Sequence, residues 1–301
     1  MRNETVNAKS KIYTILGDPI SHSLSPVIHN SCFDRLELDN VFVAMKCNLE
    51  NADVIMPALK EAGLEGYVYT MPVKGAAVSY MDELGDEAEL IGSVNCAYRR
   101  DGKLIGHNTD SQGFWNAILE ARTEESPEIK KVMVLGAGGM AKAAVAQAAI
   151  QGVDKIIVAV PLEDTNFVED FKNFADRVKE KNYRAEIKVI DWNPELWKEE
   201  LADCQVVANC TPNGMKGKGD LGQIFPYDDA AAGTIFFDAI YEPMETEYIR
   251  NAKDRGFITV PGINLLVHQG VCSFYHWTGI WVEPAQMMDD IKIFLKEEKR
   301  E

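Results

Sequence analysis

From Tyr13 onward, short β-branched and aromatic runs alternate with longer segments of helical period, the mark of an α/β fold with largely parallel strands. YTILG (13–17), VFVAM (41–45) and GYVYT (66–70) read as the opening strands. Between them, Ser25-Pro26 predicts a helix start, with serine as the N-cap and proline in the first turn; DVIMPALKEAG is amphipathic despite its internal proline. VNCAYRRDGKLIGHN predicts a hairpin turning at Asp101-Gly102. A charged stretch, RTEESPEIKK, predicts a surface crossing between domains. Beyond it lie VMVLG, KIIVAV, AEIKVI, QVVAN, TIFFDA and a short FITV, each separated by enough chain for a crossover helix, as parallel pairing demands. That block predicts a doubly wound, Rossmann-like domain. From Leu265 to Lys299 the period is helical with no further strand, so this tail is expected to pack back on the first domain. The expectation is therefore two α/β domains, a discontinuous one of residues 11–114 and 265–301 and a Rossmann-like one of residues 115–264.

Composition narrows what such a chain can do. Its 301 residues exceed one ordinary hydrophobic core. A net charge of −16 repels phosphate backbones and anionic lipid alike, so neither nucleic acid nor a membrane surface is an expected partner. The six cysteines stand singly without C-x-x-C or zinc-ligand spacing, which predicts reduced packing residues, a cytoplasmic location and no metal site. The N-terminus lacks the apolar core of a secretory signal, and no stretch reaches the roughly 18 apolar residues of a membrane span. The first ten residues are expected to be a loose extension.

The sharpest local motif is VMVLGAGGMAKAA, where a strand runs into Gly136-Ala137-Gly138-Gly139-Met140-Ala141 and then an alanine-rich helix. It fits G-x-G-x-x-A, in which glycines let backbone N–H groups approach a pyrophosphate at the positive end of the helix dipole. Tight strand-to-helix turns also need glycine for steric reasons alone, but a strand before, a helix after and a second strand at Lys155–Val160 supply the context. The second strand ends in AVPLEDTN, and an acid there would hydrogen-bond ribose hydroxyls and repel a 2′-phosphate. Glu163 is the candidate, with Asp164 second, so NAD is expected over NADP.

Polar clusters SHSLSPVIHN, YTMPVK and GHNTDSQG lie at strand ends of the first domain, where open α/β sheets place ligands. Here the chain resembles the shikimate dehydrogenase family, and especially its quinate/shikimate branch, from about Tyr13 to Gly279. Ser23-Leu24-Ser25-Pro26 matches the family's S-x-S-P, Thr70-Met71-Pro72-Val73-Lys74 its T-x-P-x-K, and Asn108-Thr109-Asp110 its N-T-D. The resemblance implies that Ser23 and Ser25 bind a substrate carboxylate, that Thr70, Asn95, Tyr241 and Gln269 contact substrate, and that Lys74 and Asp110 are catalytic. Asn209 to Met215 is similar to the family's loop under the nicotinamide, implying cofactor contacts from Thr211, Pro212, Gly214 and Met215, and further ones from Asp238 and Gly262. Pro243 fits the stretch around Tyr241, and Phe274, Trp277 and Gly279 its closing helix.

Two departures stand out. The family's N-V-T has become Val68-Tyr69-Thr70, which removes an amide that commonly contacts a ring hydroxyl and points to a broader substrate range. The N-R-[ST] that reads an NADP phosphate is missing, with Pro161 where its arginine would stand.

The activity implied is hydride transfer between NAD(H) and a ring hydroxyl of a shikimate- or quinate-type acid. Lys74 would exchange a proton with the reacting oxygen while Asp110 orients it, the ownership of the proton in each step staying open. His22, His29, His107, His268 and His276 have no triad-like context and are expected to pack or hydrogen-bond. Two other readings stay open: a non-catalytic regulatory protein that senses NAD and a hydroxy acid, and a dehydrogenase for an amino-shikimate-like substrate. A homodimer is left open too.

Overall fold

The computed structural model describes residues 6–181 and 183–298, so half of the expected N-terminal extension lies outside the described residues. In chain order the elements are β1 (Lys11–Gly17), α1 (Ser25–Arg35), β2 (Asn40–Lys46), α2 (Ala52–Glu61), β3 (Gly66–Tyr69), β4 (Glu83–Leu84), α3 (Asp86–Ile91), β5 (Cys96–Arg100) and β6 (Lys103–His107). They continue with α4 (Thr109–Ala121), β7 (Lys131–Leu135), α5 (Gly139–Ile150), β8 (Lys155–Val160), α6 (Thr165–Glu180), β9 (Glu186–Asp191) and α7 (Pro194–Leu201). The last are β10 (Val206–Asn209), β11 (Ile235–Asp238), α8 (Glu247–Asp254), β12 (Ile258–Val260), α9 (Gly262–Thr278) and α10 (Pro284–Glu298). Two compact units result: residues up to Thr109 together with those from Val267 onward, and Asp110–Leu266. Among the described residues no helix is long and apolar enough to cross a membrane.

The first unit holds a mixed six-stranded sheet of order β2-β1-β3-β5-β6-β4. β1 pairs in parallel with β2 and β3, whereas β5 runs antiparallel to both β3 and β6. The β5–β6 hairpin turns at Asp101 and Gly102, with φ 51° and 79°, the pair of left-handed residues that a two-residue turn needs to match strand twist. β4, two residues long, was beyond reach of a periodicity argument. Alternation along the strands sorts side chains onto two faces. Leu16, Tyr67, Tyr69, Ala97 and Met56 fill one core. On the other face Tyr13, Phe33, Phe42 and Trp277 pack ring on ring, with the His29 imidazole 4.7 Å from Trp277 and 4.8 Å from Phe42. The tail helices complete this unit: Trp277 donates its indole N–H to the Ala97 carbonyl (3.1 Å), and Arg35 of α1 grips Asp290 of α10 through both carboxylate oxygens.

The expected N-cap needs correction. α1 begins at Ser25, its cap position is Leu24, and no side chain caps it, so the Ser25 hydroxyl is not committed to the helix end.

The second unit is an all-parallel sheet of order β12-β11-β10-β7-β8-β9. The chain winds outward from β7 through β9, then returns to β7's other edge with β10, which puts a topological switch point between β7 and β10. Leu135 at the end of β7 lies opposite Ala159 of β8 and Asn209 of β10, so the loops that follow these three strands emerge together. α5 is wrapped closely, with every residue from Ala143 to Ala149 buried, five of those seven being alanines whose small side chains allow it. The charged stretch at 122–131 corrects the expected domain crossing. It lies within the second unit, because the border falls in the first turn of α4, between Thr109 and Asp110. Lys131, its last residue, is buried and paired with Glu200 (2.7 Å) and Asp203 (2.5 Å).

Candidate active site

In the first unit, four stretches far apart in sequence are wired into one patch by the backbone. Thr70 N–H donates to the Leu16 carbonyl (2.9 Å), Tyr69 N–H to the Asn95 carbonyl (2.8 Å), Val94 N–H to the Lys74 carbonyl (3.0 Å) and Asn95 N–H to the His107 carbonyl (3.0 Å). Thr70 and Lys74 therefore sit on a half-buried turn beyond β3, held against the segment that carries Asn95. Asn95 is buried and clamps Thr109: its Oδ1 accepts the Thr109 N–H at 2.6 Å and its Nδ2 donates to Thr109 Oγ1 at 3.1 Å. Thr109 Oγ1 meets Ser273 Oγ at 2.9 Å, and Asn108 donates its side-chain N–H to the Ser93 carbonyl at 3.0 Å. Thr109 is thereby fixed from three sides, and Asp110 is the next residue, buried in the first turn of α4, where a carboxylate is favoured by the helix dipole.

Ser23 and Ser25 flank Leu24 at the start of α1, with Ser25 N–H donating to Ser23 Oγ at 3.3 Å. Gln269 is buried on α9, one turn before Ser273. Ser273 was missed in the sequence, although its i+4 spacing from Gln269 puts both on one helix face.

In the second unit the glycine turn has the form its motif implies. Gly136 adopts φ 106°, a conformation that a side chain would oppose, directly after β7. α5 opens at Gly139 with Gly138 as its cap position, and no side chain caps it. A Cβ at Gly139 would meet nothing within 4 Å, so the helix N-terminus is bare and open to an anion. Within the motif, Gly138, Gly139 and Met140 reach solvent. Ala137 and Ala141 are fully buried and pack the turn onto the sheet, so their side chains offer no surface to a ligand.

After β8, Pro161 to Phe167 are exposed, Glu163 among them. Asp164 is taken by another task, since its carboxylate caps α6 by accepting the Phe167 N–H (3.2 Å). Asp191, at the end of neighbouring β9, accepts the Leu162 N–H (3.1 Å) and adds a further acid beside this loop. The sequence reading missed it. Aligning the ends of β8 and β9 would have found it.

Gly262 begins α9, where a Cβ would collide with the Ile240 carbonyl, so its smallness serves close packing. Tyr241 is half-buried, and burial with the nearby Glu242 charge pushes its phenol up. In the loop after β10, Pro212 and Met215 are exposed while Thr211 and Gly214 are half-buried. Asp238 departs from expectation: it is wholly buried, and both of its carboxylate oxygens are occupied within the unit, so its side chain has no surface to offer a cofactor.

Fold and site together define a two-unit α/β protein whose second unit is a doubly wound parallel sheet with an uncapped glycine turn at its switch point, the construction that receives dinucleotides. Residues 15–97 match the family model described as the shikimate dehydrogenase substrate binding domain. A Lactococcus lactis protein named shikimate dehydrogenase (NADP(+)) is 34% identical over 278 residues, covering 91% of this chain and 94% of its own. The structure of a shikimate 5-dehydrogenase from Listeria monocytogenes in complex with shikimate and NAD superposes with a TM-score of 0.87 at 28% identity, covering 96% of this chain and 98% of its own. A 5-ketofructose reductase from Gluconobacter gives a TM-score of 0.82 at 25% identity, covering 96% and 100%. The chain belongs to the shikimate dehydrogenase family.

Proposed function

We propose that the protein is a shikimate-type dehydrogenase that moves a hydride between a nicotinamide dinucleotide and a hydroxyl-bearing ring carbon of shikimate- or quinate-type acids. The observation that carries this reading is near full-length similarity to a named shikimate dehydrogenase, with Lys74 and Asp110 both kept in the family's motifs. The first unit binds the acid and the second the dinucleotide. Ser23 and Ser25, whose helix end needs no side-chain cap, supply hydroxyls for the carboxylate, and Thr70, Asn95 and Gln269 orient the ring. When bound, the dinucleotide accepts or supplies the hydride. Gly138, Gly139 and Met140 would hold its pyrophosphate on the bare start of α5, and Thr211 to Met215 would flank its nicotinamide. Lys74 gives a proton to the carbonyl oxygen in reduction and recovers it in oxidation, and Asp110 orients the ammonium.

For the cofactor we infer NAD over NADP. Curated relatives are named for NADP(+), whereas the loop after β8 here offers Pro161, Leu162, Glu163 and Asp164, with Asp191 alongside and no arginine to meet a 2′-phosphate. A second reading is reduction of a keto sugar. It draws on the Gluconobacter neighbour and on buried Val68, which leaves no amide at that position of β3.

The test is spectrophotometric: shikimate, quinate and a keto sugar are each offered with NAD(H) and NADP(H), and absorbance of the reduced cofactor is followed. Turnover of a ring acid with NAD above NADP is expected. Turnover of the keto sugar alone would favour the second reading, and dinucleotide binding without turnover would favour a sensor.

A further inference from the structure

The fully buried Asp238 carboxylate closes a chain of hydrogen bonds that ends in the loop after β10. Thr246 Oγ1 donates to its Oδ2 at 2.5 Å, while the Ile240 N–H and Asn209 Nδ2 both donate to Oδ1 at 3.0 Å. Asn209 Nδ2 also donates to the Asn213 carbonyl at 3.0 Å, and its Oδ1 accepts both the N–H (3.1 Å) and the hydroxyl (2.7 Å) of Thr211. Thr211 Oγ1 in turn accepts the N–H and the side-chain amide of Asn213, each at 3.1 Å. Every side-chain polar atom of Asn209 is used to join Asp238 to the turn of this loop.

We infer that Asp238 is a positioning residue, which through Asn209 holds the Thr211–Met215 loop in the shape that receives a dinucleotide. The inference rests on the function proposed above. The role is indirect, because the carboxylate touches no surface a ligand could reach.

The arrangement also makes the loop sensitive to acid. All three groups facing the carboxylate are donors, so the network is complete only while Asp238 is ionised. Burial opposes that state and, against the bonds from Thr246, Ile240 and Asn209, raises its pKa to about 6. The titratable groups that feel its charge are the Cys210 thiol and the Tyr227 and Tyr248 phenols, all three pushed up by burial and so neutral at pH 7, with Arg255 lying over the Tyr227 ring. None changes charge between pH 5 and 7. A protonated Asp238 would set a hydroxyl against one of three donors, and a link would be lost.

The experiment combines amide hydrogen exchange on the ligand-free protein with direct titration of NADH by fluorescence, for wild type, D238N and T246V, from pH 5 to 8. For wild type, exchange at Thr211 and Asn213, corrected for intrinsic rate, should quicken about tenfold as pH falls through about 6, with NADH binding weakening in parallel. In D238N both should already be about tenfold worse at pH 7 and show no such step, while the KM for the ring acid stays within about twofold. T246V should give a smaller change of the same sign, guarding against a D238N protein that fails to fold. Equal exchange and equal binding in wild type and both variants would overturn the inference. A wild type that binds neither NADH nor NADPH would instead overturn the reading on which it rests, while the exchange result would still report on the network.

Discussion

The two units meet similar demands with opposite materials. In the first, the polar residues that matter come from stretches around 23, 70, 95, 109 and 269; backbone pairing gathers those at 70 and 95, and side-chain bonds tie Asn95 to Thr109 and Thr109 to Ser273, one turn beyond Gln269. In the second, the cofactor turn is one contiguous run whose chemistry belongs to the backbone. The contrast extends to what lies beneath. Beside the first site is an aromatic core with a buried imidazole in it; neither ring nitrogen of His29 has a partner, and burial lowers its pKa to about 3. In the second unit, at the opposite end of the sheet from the glycine turn, Glu200 gathers Lys131 (2.7 Å), Lys188 (2.6 Å) and Lys155 (3.5 Å). Burial pushes Glu200 up, but the bonds from Lys131 and Lys188 and the Lys155 charge outweigh it and bring it to about 2. Side-chain chemistry thus dominates one unit's site and backbone chemistry the other's, so mutations should separate them.

The largest expected effect tests that separation. Lys74→Ala should lower kcat by about 10²- to 10⁴-fold while NADH titration stays near wild type. Turnover near normal would remove Lys74 from the reaction, and lost NADH binding would show the two sites to be less separable than drawn. Next, Glu200→Ala leaves Lys131 buried with one of its two acidic partners gone and three ammonium groups close together. Breaking such a cluster should cost about 3 kcal/mol, read by denaturant unfolding of the whole chain. An unchanged midpoint would mean that water already compensates these charges.

Acid sharpens the contrast from the other side. The His29 pKa is lower in the fold than its ordinary value near 6.5, so the neutral ring's contribution is fully present above pH 6.5 and is lost as pH falls toward 3. Between pH 7 and pH 5 this amounts to about 2 kcal/mol. His29→Phe should flatten that part of the stability curve, and an unaltered slope would assign the acid sensitivity elsewhere, with His276, lowered to about 4 by burial and by His107, as the next group to replace. The smallest effect belongs to the cofactor loop. Glu163→Arg should shift the NAD to NADP preference by about tenfold, roughly 1.4 kcal/mol, because one exposed charge is screened. No shift would point to Asp191 as the acid that selects.

Pattern alone determined much of this protein. Alternation and length marked β1, β8 and the other long strands, the Asp-Gly pair marked the hairpin at Asp101-Gly102, and the glycine run marked the cofactor turn. These features depend on neighbours within a few residues, so a linear reading reaches them. Tertiary structure decided the rest. It gave the Ser25 helix end no cap, placed Ser273 against Thr109 and the Asp191 carboxylate on the Leu162 N–H, buried Ala137 and Lys131, and turned Asp238, expected to contact a cofactor, inward onto Asn209. Each of those outcomes depends on which distant group a polar atom meets and how much water is excluded there, quantities set by packing across the chain rather than by residue order.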